Sequence, residues 1–365
     1  MVNERVFSFT IHGSPFIIIC MFSRLYGSLM NARNSLYEKG VFKSHSLGAK
    51  TVSIGNITVG GTGKTPLVAF VAEVLAGGGE KVCVLTRGYG RANPQRRILV
   101  SDGERVLADV RNAGDEPFEL AGKLLGKAVI VADPNRVAAA HWAREKFGIT
   151  AFVLDDAFQH RRARRDLDIV CVDATDPFGN GKTLPTGTLR EPLENLKRAD
   201  AVVITRANLA DDVSNLKLQI AEYNADCPIF VSENRISSLV DLNDFSVKAQ
   251  SSLGAKNKQQ TTKDNCLAFC GLGNPNNFFE QLRRENFNLV ATHKFADHHF
   301  YTTRDVRRLA ERAKQSQAEI LLTTVKDAVK LGSLRFDLPC LVVENDLVFE
   351  DNAFRNLLLA LSSES

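Results

Sequence analysis

The run Gly60-Gly61-Thr62-Gly63-Lys64-Thr65 constrains this 365-residue chain more than any other feature. It follows the apolar, β-rich stretch Thr51–Ile54 and opens a helical stretch, Thr65–Ala76. A glycine-rich turn between a strand and a helix lets backbone N–H groups converge on phosphate oxygens. In that geometry Lys64 reaches the β- and γ-phosphates and the Thr65 hydroxyl reaches Mg2+. The candidate nucleotide-binding residues are therefore Thr58, Val59, Gly60, Gly61, Thr62, Gly63, Lys64 and Thr65. The loop departs from the general pattern at Thr58, where a glycine is usual. Partitioning ATPases place a lysine before the paired glycines, and here that residue is Val59.

The surroundings suit such a loop. Strand signals at Val82–Leu85, Ala128–Val131, Phe152–Leu154, Ile169–Val172 and Val202–Ile204 alternate with helical stretches such as Pro117–Leu125 and Asn135–Phe147. This alternation predicts an α/β fold, a mostly parallel sheet with flanking helices, of phosphate-loop NTPase type. The third of these strands after the loop ends in Asp155-Asp156. Ligands bind at the carboxyl edge of such a sheet, so paired acids there are candidate Mg2+ ligands.

The formal charge of +4 is not spread along the chain. Residues 1–50 hold six basic and two acidic residues, and the rest is balanced, so no nucleic-acid footprint is expected. The basic segment also carries the apolar run Pro15–Phe22, too short to cross a bilayer, which takes about 20 apolar residues. Ser14-Pro15 reads as a helix start and Lys39-Gly40 as a stop. Ile18, Phe22, Leu25, Leu29 and Leu36 fall on one helical stripe. Such a helix either packs on a core or lies in a membrane surface; its density of apolar residues and basic flanks favours the membrane. The seven cysteines are scattered, several inside strand-like runs, and read as reduced core residues without a zinc site.

At this point the sequence resembles a known family. Thr51 to Pro66, with its Ile54-Gly55-Asn56 and Gly60 to Thr65, is similar to the phosphate loop of the tetraacyldisaccharide 4'-kinase (lipid A 4'-kinase) family. So are Thr86-Arg87-Gly88-Tyr89-Gly90-Arg91, Gly114-Asp115-Glu116-Pro117, Leu154 to His160 and Leu189-Arg190-Glu191-Pro192. Gly271 to Pro275, Phe295-Ala296-Asp297-His298 and Thr323 to Ala328 continue in the family's order. Two positions differ: Ala157 stands for the usual Gly and Val325 for the usual Glu.

The resemblance implies an ATP-dependent phosphotransferase with an alcohol acceptor. The enzyme moves the γ-phosphate to the 4'-hydroxyl of a tetraacyldisaccharide 1-phosphate, giving lipid IVA for lipid A and lipopolysaccharide. It also implies ATP as co-substrate, Mg2+, a membrane-embedded acylated substrate and a peripheral, monotopic position on the cytoplasmic face of the inner membrane. Residue by residue, it implies Asp115 as catalytic base, His298 as its supporting histidine and Lys64 as the phosphate-loop cation. His299 is the competing histidine. Thr65, Asp155, Asp156 and Glu116 are the metal candidates, with Glu116 alternatively capping the helix at Pro117. Arg87, Arg136, Gln159, His160, Arg190 and Glu191 are candidate substrate contacts; for Arg87 and Arg136 a surface salt bridge is the alternative. Arg161, Arg162, Arg164 and Arg165 form a basic cluster beside them. The expected organisation is an N-terminal amphipathic membrane-surface helix (1–45), a phosphate-loop kinase domain (46–235) and a smaller α/β domain closing the cleft (236–365). The junction falls near 233–250, followed by an exposed polar loop from Ser251 to Asn265.

Overall fold

The structure, a computed structural model, describes residues 15–248, 263–332 and 334–363. It is a mixed α/β fold on one large, mostly parallel sheet. The strands are β1 (Lys50–Gly55), β2 (Val82–Thr86), β3 (Ile98–Ser101), β4 (Ala128–Ala132), β5 (Ala151–Asp155), β6 (Leu167–Asp173), β7 (Ala201–Thr205) and β8 (Ile229–Asp241), then β9 (Cys266–Cys270), β10 (Leu289–Lys294), β11 (Ile320–Thr324) and β12 (Cys340–Phe349). The helices are α1 (Pro15–Glu38), α2 (Lys64–Gly77), α3 (Val110–Ala113), α4 (Asp115–Lys123), α5 (Arg136–Phe147), α6 (Ser214–Tyr223) and α7 (Leu242–Lys248), then α8 (Pro275–Arg284), α9 (Thr303–Ser316), α10 (Val325–Leu331) and α11 (Ala353–Ser363). The sheet order is β10-β9-β11-β12-β8-β7-β6-β1-β5-β2-β4-β3. Within this sheet β3 pairs antiparallel with β4 and β8 with β12; the other neighbouring strands pair parallel.

The central strands are buried along their whole length, as expected of parallel strands covered on both faces. On one face α2 presses Leu67, Val68, Val71, Ala72, Val74 and Leu75 against Val52, Ile54 and Val153. On the other, α5 packs Val137, Ala139, Ala140 and Ala143 on Leu85, Val131, Phe152 and Leu154.

Strand β8 positions the site. The sequence reading treats 233–250 as a junction between domains; the chain there forms a 13-residue strand, Ile229–Asp241, followed by α7. Val231 ends the parallel pairing with β7, and the stretch from Ser232 to Asp241 pairs antiparallel with β12. The second half of the sheet therefore begins farther along β8 and runs back toward the first. Thr324, at the carboxyl end of β11, lies level with Val343, which lies opposite Leu239. The carboxyl edges of the two halves thus face one another across eight residues of β8, roughly 26 Å.

Helix α1 is arranged contrary to a core-packing helix. Several of its polar side chains face the protein. Ser23 donates to the Thr183 carbonyl at 2.6 Å, Tyr26 to the Arg190 carbonyl at 2.9 Å, and Asn34 to Glu191 at 2.8 Å and Asn195 at 3.0 Å. Its apolar side chains face outward: Met21, Phe22, Leu25 and Leu29 are 66%, 57%, 55% and 59% exposed. The expected stop holds, with Gly40 in the left-handed region just beyond the helix. Ser14 and the Ile18 side chain lie outside the described residues, as does the polar loop up to residue 262. No helix among the described residues is long and apolar enough to cross a membrane. The six cysteines beyond Cys20 are buried and free.

Candidate active site

One cavity of about 1330 Å³ lies between the facing sheet edges. The glycine-rich loop, α1, the turn after β2, α4, and the loops after β9, β10 and β11 all contribute to it. The glycine-rich loop is held from below. Thr205 Oγ1 and Cys171 Sγ donate to the Thr62 carbonyl, at 2.9 and 3.0 Å, and Arg206 donates to the Gly61 carbonyl at 2.7 Å. Gly63 adopts φ 76° where a Cβ would press on Thr205, which is why glycine precedes Lys64. Lys64 and Thr65 line the cavity at the start of α2.

Asp155 ends β5 and Asp156 follows it in the turn, beside this loop. Asp156, at φ 48°, receives Arg190 through both carboxylate oxygens at 2.8 and 2.9 Å and lies 3.5 Å from Lys64. Burial pushes the Asp156 carboxyl up, but Lys64 and Arg190 outweigh it and hold it below the ordinary value. Asp155 goes the other way. Burial, then the negative charges of Glu116 and Asp156, raise it to about 6, although Thr86 donates to it at 3.0 Å. Three carboxylates and the Thr65 hydroxyl offer hard oxygen donors, and their mutual repulsion is what a divalent cation relieves. Among the described residues no three carboxylates or histidines form a closed metal cage. Mg2+ needs none, since it takes one or two carboxylates and completes its shell with water and phosphate oxygens.

Asp115 opens α4 from the first half of the sheet. Gly114 before it adopts φ 91°, and a Cβ there would come within 2.7 Å of the Tyr89 carbonyl. This contact brings the Gly114-Asp115 and Arg87-Gly88-Tyr89 motifs together. His298 comes from the second half, after β10, and meets Asp115 Oδ2 through Nδ1 at 2.8 Å. Its backbone is left-handed at φ 58°, a conformation that costs of order 1–3 kcal/mol and clusters at functional sites. The hydrogen bond to Asp115 raises the His298 imidazole above its ordinary value against the effect of burial. Burial raises Asp115, but His298, Lys326 and Lys330 outweigh it and the carboxyl lies below its usual range. His299 turns away, stacks on Phe295 and meets Asp305 at 3.1 Å.

The other candidate residues divide. Arg87, Gln159, Arg190 and Glu116 line the cavity. Gln159 also donates to the Asn56 carbonyl and to Glu191, both at 2.9 Å. Arg136, His160 and Glu191 do not line it. The Arg136 guanidinium is buried and donates to the Asp155 carbonyl at 2.7 Å. Glu191 is buried against Arg198, Gln159 and Asn34. His160 is lowered to about 3 by burial and by Arg136 and Arg165. These three serve the walls. Sequence reasoning gave no role to Lys326, which lies 3.5 Å from Glu116 and 3.6 Å from Asp297, although it stands inside a quoted motif. Arg206 and the α1 residues Tyr26 and Arg33, which also line the cavity, carried no signal.

A sequence model of the LpxK family, tetraacyldisaccharide-1-P 4'-kinase, matches residues 16–363. The chain belongs to this family. It is 40% identical over 337 residues to the tetraacyldisaccharide 4'-kinase of Anaeromyxobacter sp., covering 91% of this chain and 88% of that protein. It is 37% identical over 319 residues to that of Halothermothrix orenii, covering 86% of this chain and 83% of that one. Among solved structures, LpxK from Aquifex aeolicus in complex with ATP matches with a TM-score of 0.74 at 29% identity, over 94% of this chain and 98% of that one. The LpxK relation thus extends from α1 to α11, through both halves of the sheet.

Proposed function

We propose that this protein transfers the γ-phosphate of ATP to the 4'-hydroxyl of a tetraacyldisaccharide 1-phosphate, giving lipid IVA in lipid A biosynthesis. The observation that carries the reading is the Asp115–His298 contact, made between the two sheet halves over a cavity that also holds Lys64. In-line transfer requires a base for the acceptor hydroxyl within reach of the groups that hold the phosphates, and this contact sets a carboxylate–imidazole pair beside the cavity lined by Lys64.

In this reading the backbone of residues 58–65 cradles the phosphates of ATP and Lys64 stabilises the charge spread over the transferring group. Asp115 accepts the proton of the 4'-hydroxyl, and His298 holds that carboxylate oriented and charged. Arg87 and Arg190 are placed to meet phosphate oxygens, a geometry that guanidinium matches. Thr65, Asp155, Asp156 and Glu116 would hold Mg2+, which when bound neutralises charge on the β- and γ-oxygens. Segment 1–45 is read as a membrane-surface helix, 46–235 as a phosphate-loop kinase domain and 236–365 as the domain closing the cleft. What supports the first assignment is the outward apolar stripe of α1 beside exposed Lys39, Lys43, Arg162 and Arg164. The protein then sits peripherally, monotopic, on the cytoplasmic face of the inner membrane, reaching a substrate that stays in the bilayer.

Purified protein given ATP and the disaccharide 1-phosphate in detergent micelles should form a 4'-phosphorylated product. Lipid-independent ATP hydrolysis with no such product would replace the kinase with a nucleotide-driven switch.

A further inference from the structure

Lys330 is a lysine where lysine is costly. Its side chain is 1% exposed, and among the described residues its Nζ makes no hydrogen bond. It lies 3.6 Å from Asp115 Oδ2 and 3.6 Å from Asp327 Oδ1. Asp327 belongs to the second half of the sheet and is fixed there. Its Oδ1 accepts from Gly271 N at 3.1 Å and Tyr301 OH at 2.8 Å, and its Oδ2 from Thr324 at 2.7 Å. A buried ammonium persists only when opposite charges compensate its desolvation. Here the compensation comes from one carboxylate on each side of the cleft.

We propose that Lys330 is a positioning residue for phosphoryl transfer, tying the Asp115 carboxylate to the second half of the sheet through Asp327. The proposal rests on the reading of Asp115 as the base. A free carboxylate rotates about its last torsion, which is broad and two-fold. At Asp115 both oxygens are engaged: Oδ1 accepts from Glu116 N at 3.1 Å, while Oδ2 faces His298 at 2.8 Å and Lys330 at 3.6 Å. His298 and Lys330 both come from the second half. The rotamer of Asp115 is therefore set by the approach of the two halves. An acceptor hydroxyl then meets an aligned base only when the cleft is closed and water is out.

The test compares Lys330→Met, which keeps the bulk, and Lys330→Gln with Lys330→Arg, which keeps the charge, in the full-length protein. Both neutral variants should lose at least tenfold in kcat, with KM for ATP and for the micellar acceptor within about twofold of the parent; misplacing a reacting group by about 1 Å costs up to 10²-fold. Lys330→Arg should recover part of the loss. In an Asp115→Asn background Lys330→Met should cost nothing further, since a residue acting through Asp115 has nothing left to position. Loss of kcat that multiplies with that of Asp115→Asn overturns the proposal. So does a rise in KM at constant kcat. If neither neutral variant melts within a few degrees of the parent, Lys330 is a folding residue and the proposal falls. A parent protein that makes no 4'-phosphate refutes the kinase reading itself, whatever Lys330 does.

Discussion

Replacing Leu25 and Leu29 together by glutamine tests whether the outward face of α1 meets a membrane. Both lie on the exposed stripe, at 55% and 59% exposure, and neither is part of a core cluster. Fully burying a Leu side chain is worth about 1.5–3 kcal/mol, so each half-exposed leucine stands to gain roughly 1–1.5 kcal/mol by entering the acyl boundary. Removing two such gains costs about 2–3 kcal/mol, or roughly 30- to 150-fold in the partition constant. Glutamine keeps nearly the helix propensity of leucine, so the helix itself should persist. Co-sedimentation with anionic vesicles measures the loss, and a thermal melt in detergent-free buffer should change little, as for other surface substitutions. The control is Asn34→Leu, on the opposite face. It removes one buried donor from Glu191 and one from Asn195, should cost about 1–3 kcal/mol of stability and should leave vesicle binding alone. Unchanged sedimentation of the double glutamine variant, or a collapse of its melting temperature, would sink the membrane reading of this helix.

Lys64→Ala should lower phosphoryl transfer by at least about 10²-fold, as when one fixed transition-state donor is removed, with the melt preserved; near-normal turnover in folded protein refutes the phosphate-loop assignment. Asp115→Asn and His298→Ala should each cost about 10²- to 10⁴-fold in kcat and the pair no more than the worse single change, while His299→Ala stays close to the parent; a double loss equal to the product of the singles means the two residues act independently. Stability should carry the same pair's signature. His298, raised above 6.5, contributes fully below that pH and loses its contribution as pH rises through its folded value. Asp115, lowered below 3.8, contributes above that pH and loses its contribution as pH falls through its folded value. The melting-temperature deficit of His298→Ala should therefore be largest between about pH 4 and 6.5 and shrink above it; a deficit that grows with pH contradicts the assigned directions.

The parallel strands of the first half of the sheet were legible because strands buried on both faces read as plain apolar runs, whereas β3, a short antiparallel edge strand, offered too short a run. Asn135 caps α5 with a side-chain bond to Ala138 N, and Gly148 ends it in the left-handed region. Strand β8 was not legible. Ser232, Asn234, Ser237 and Ser238 interrupt its apolar pattern, because this strand crosses the cleft and its polar residues serve the cavity and the interface. The site shows the same division. Residues announced by local geometry, the glycines and the paired aspartates, could be found from the chain. Arg136 and Glu191 looked like ligands because charge in a sequence does not reveal burial. Lys326 and Lys330 were passed over because their partners lie 211 and 215 residues earlier, at Asp115.

The inverted faces of α1 have a consequence for the site. Were this helix held by apolar packing, it could slide on the core at little cost to any particular residue. It is held instead by directional bonds, and several end on groups that build the cavity wall beside the glycine-rich loop. Tyr26 donates to the carbonyl of Arg190, whose guanidinium grips Asp156. Asn34 donates to Glu191, which also receives Gln159, and Gln159 in turn donates to the carbonyl of Asn56, whose amide holds Thr62 of the phosphate loop. Arg33 donates to the Gln159 carbonyl at 2.9 Å. Hydrogen bonds tolerate little misalignment, so the helix that faces outward with its leucines fixes, with its amides and hydroxyls, the same loop that presents Arg190 to the cavity. The outward apolar stripe of α1 and the residues around Lys64 and Asp156 are thereby held in one fixed relation. The polar underside of α1 supplies that relation without using its outward apolar side chains.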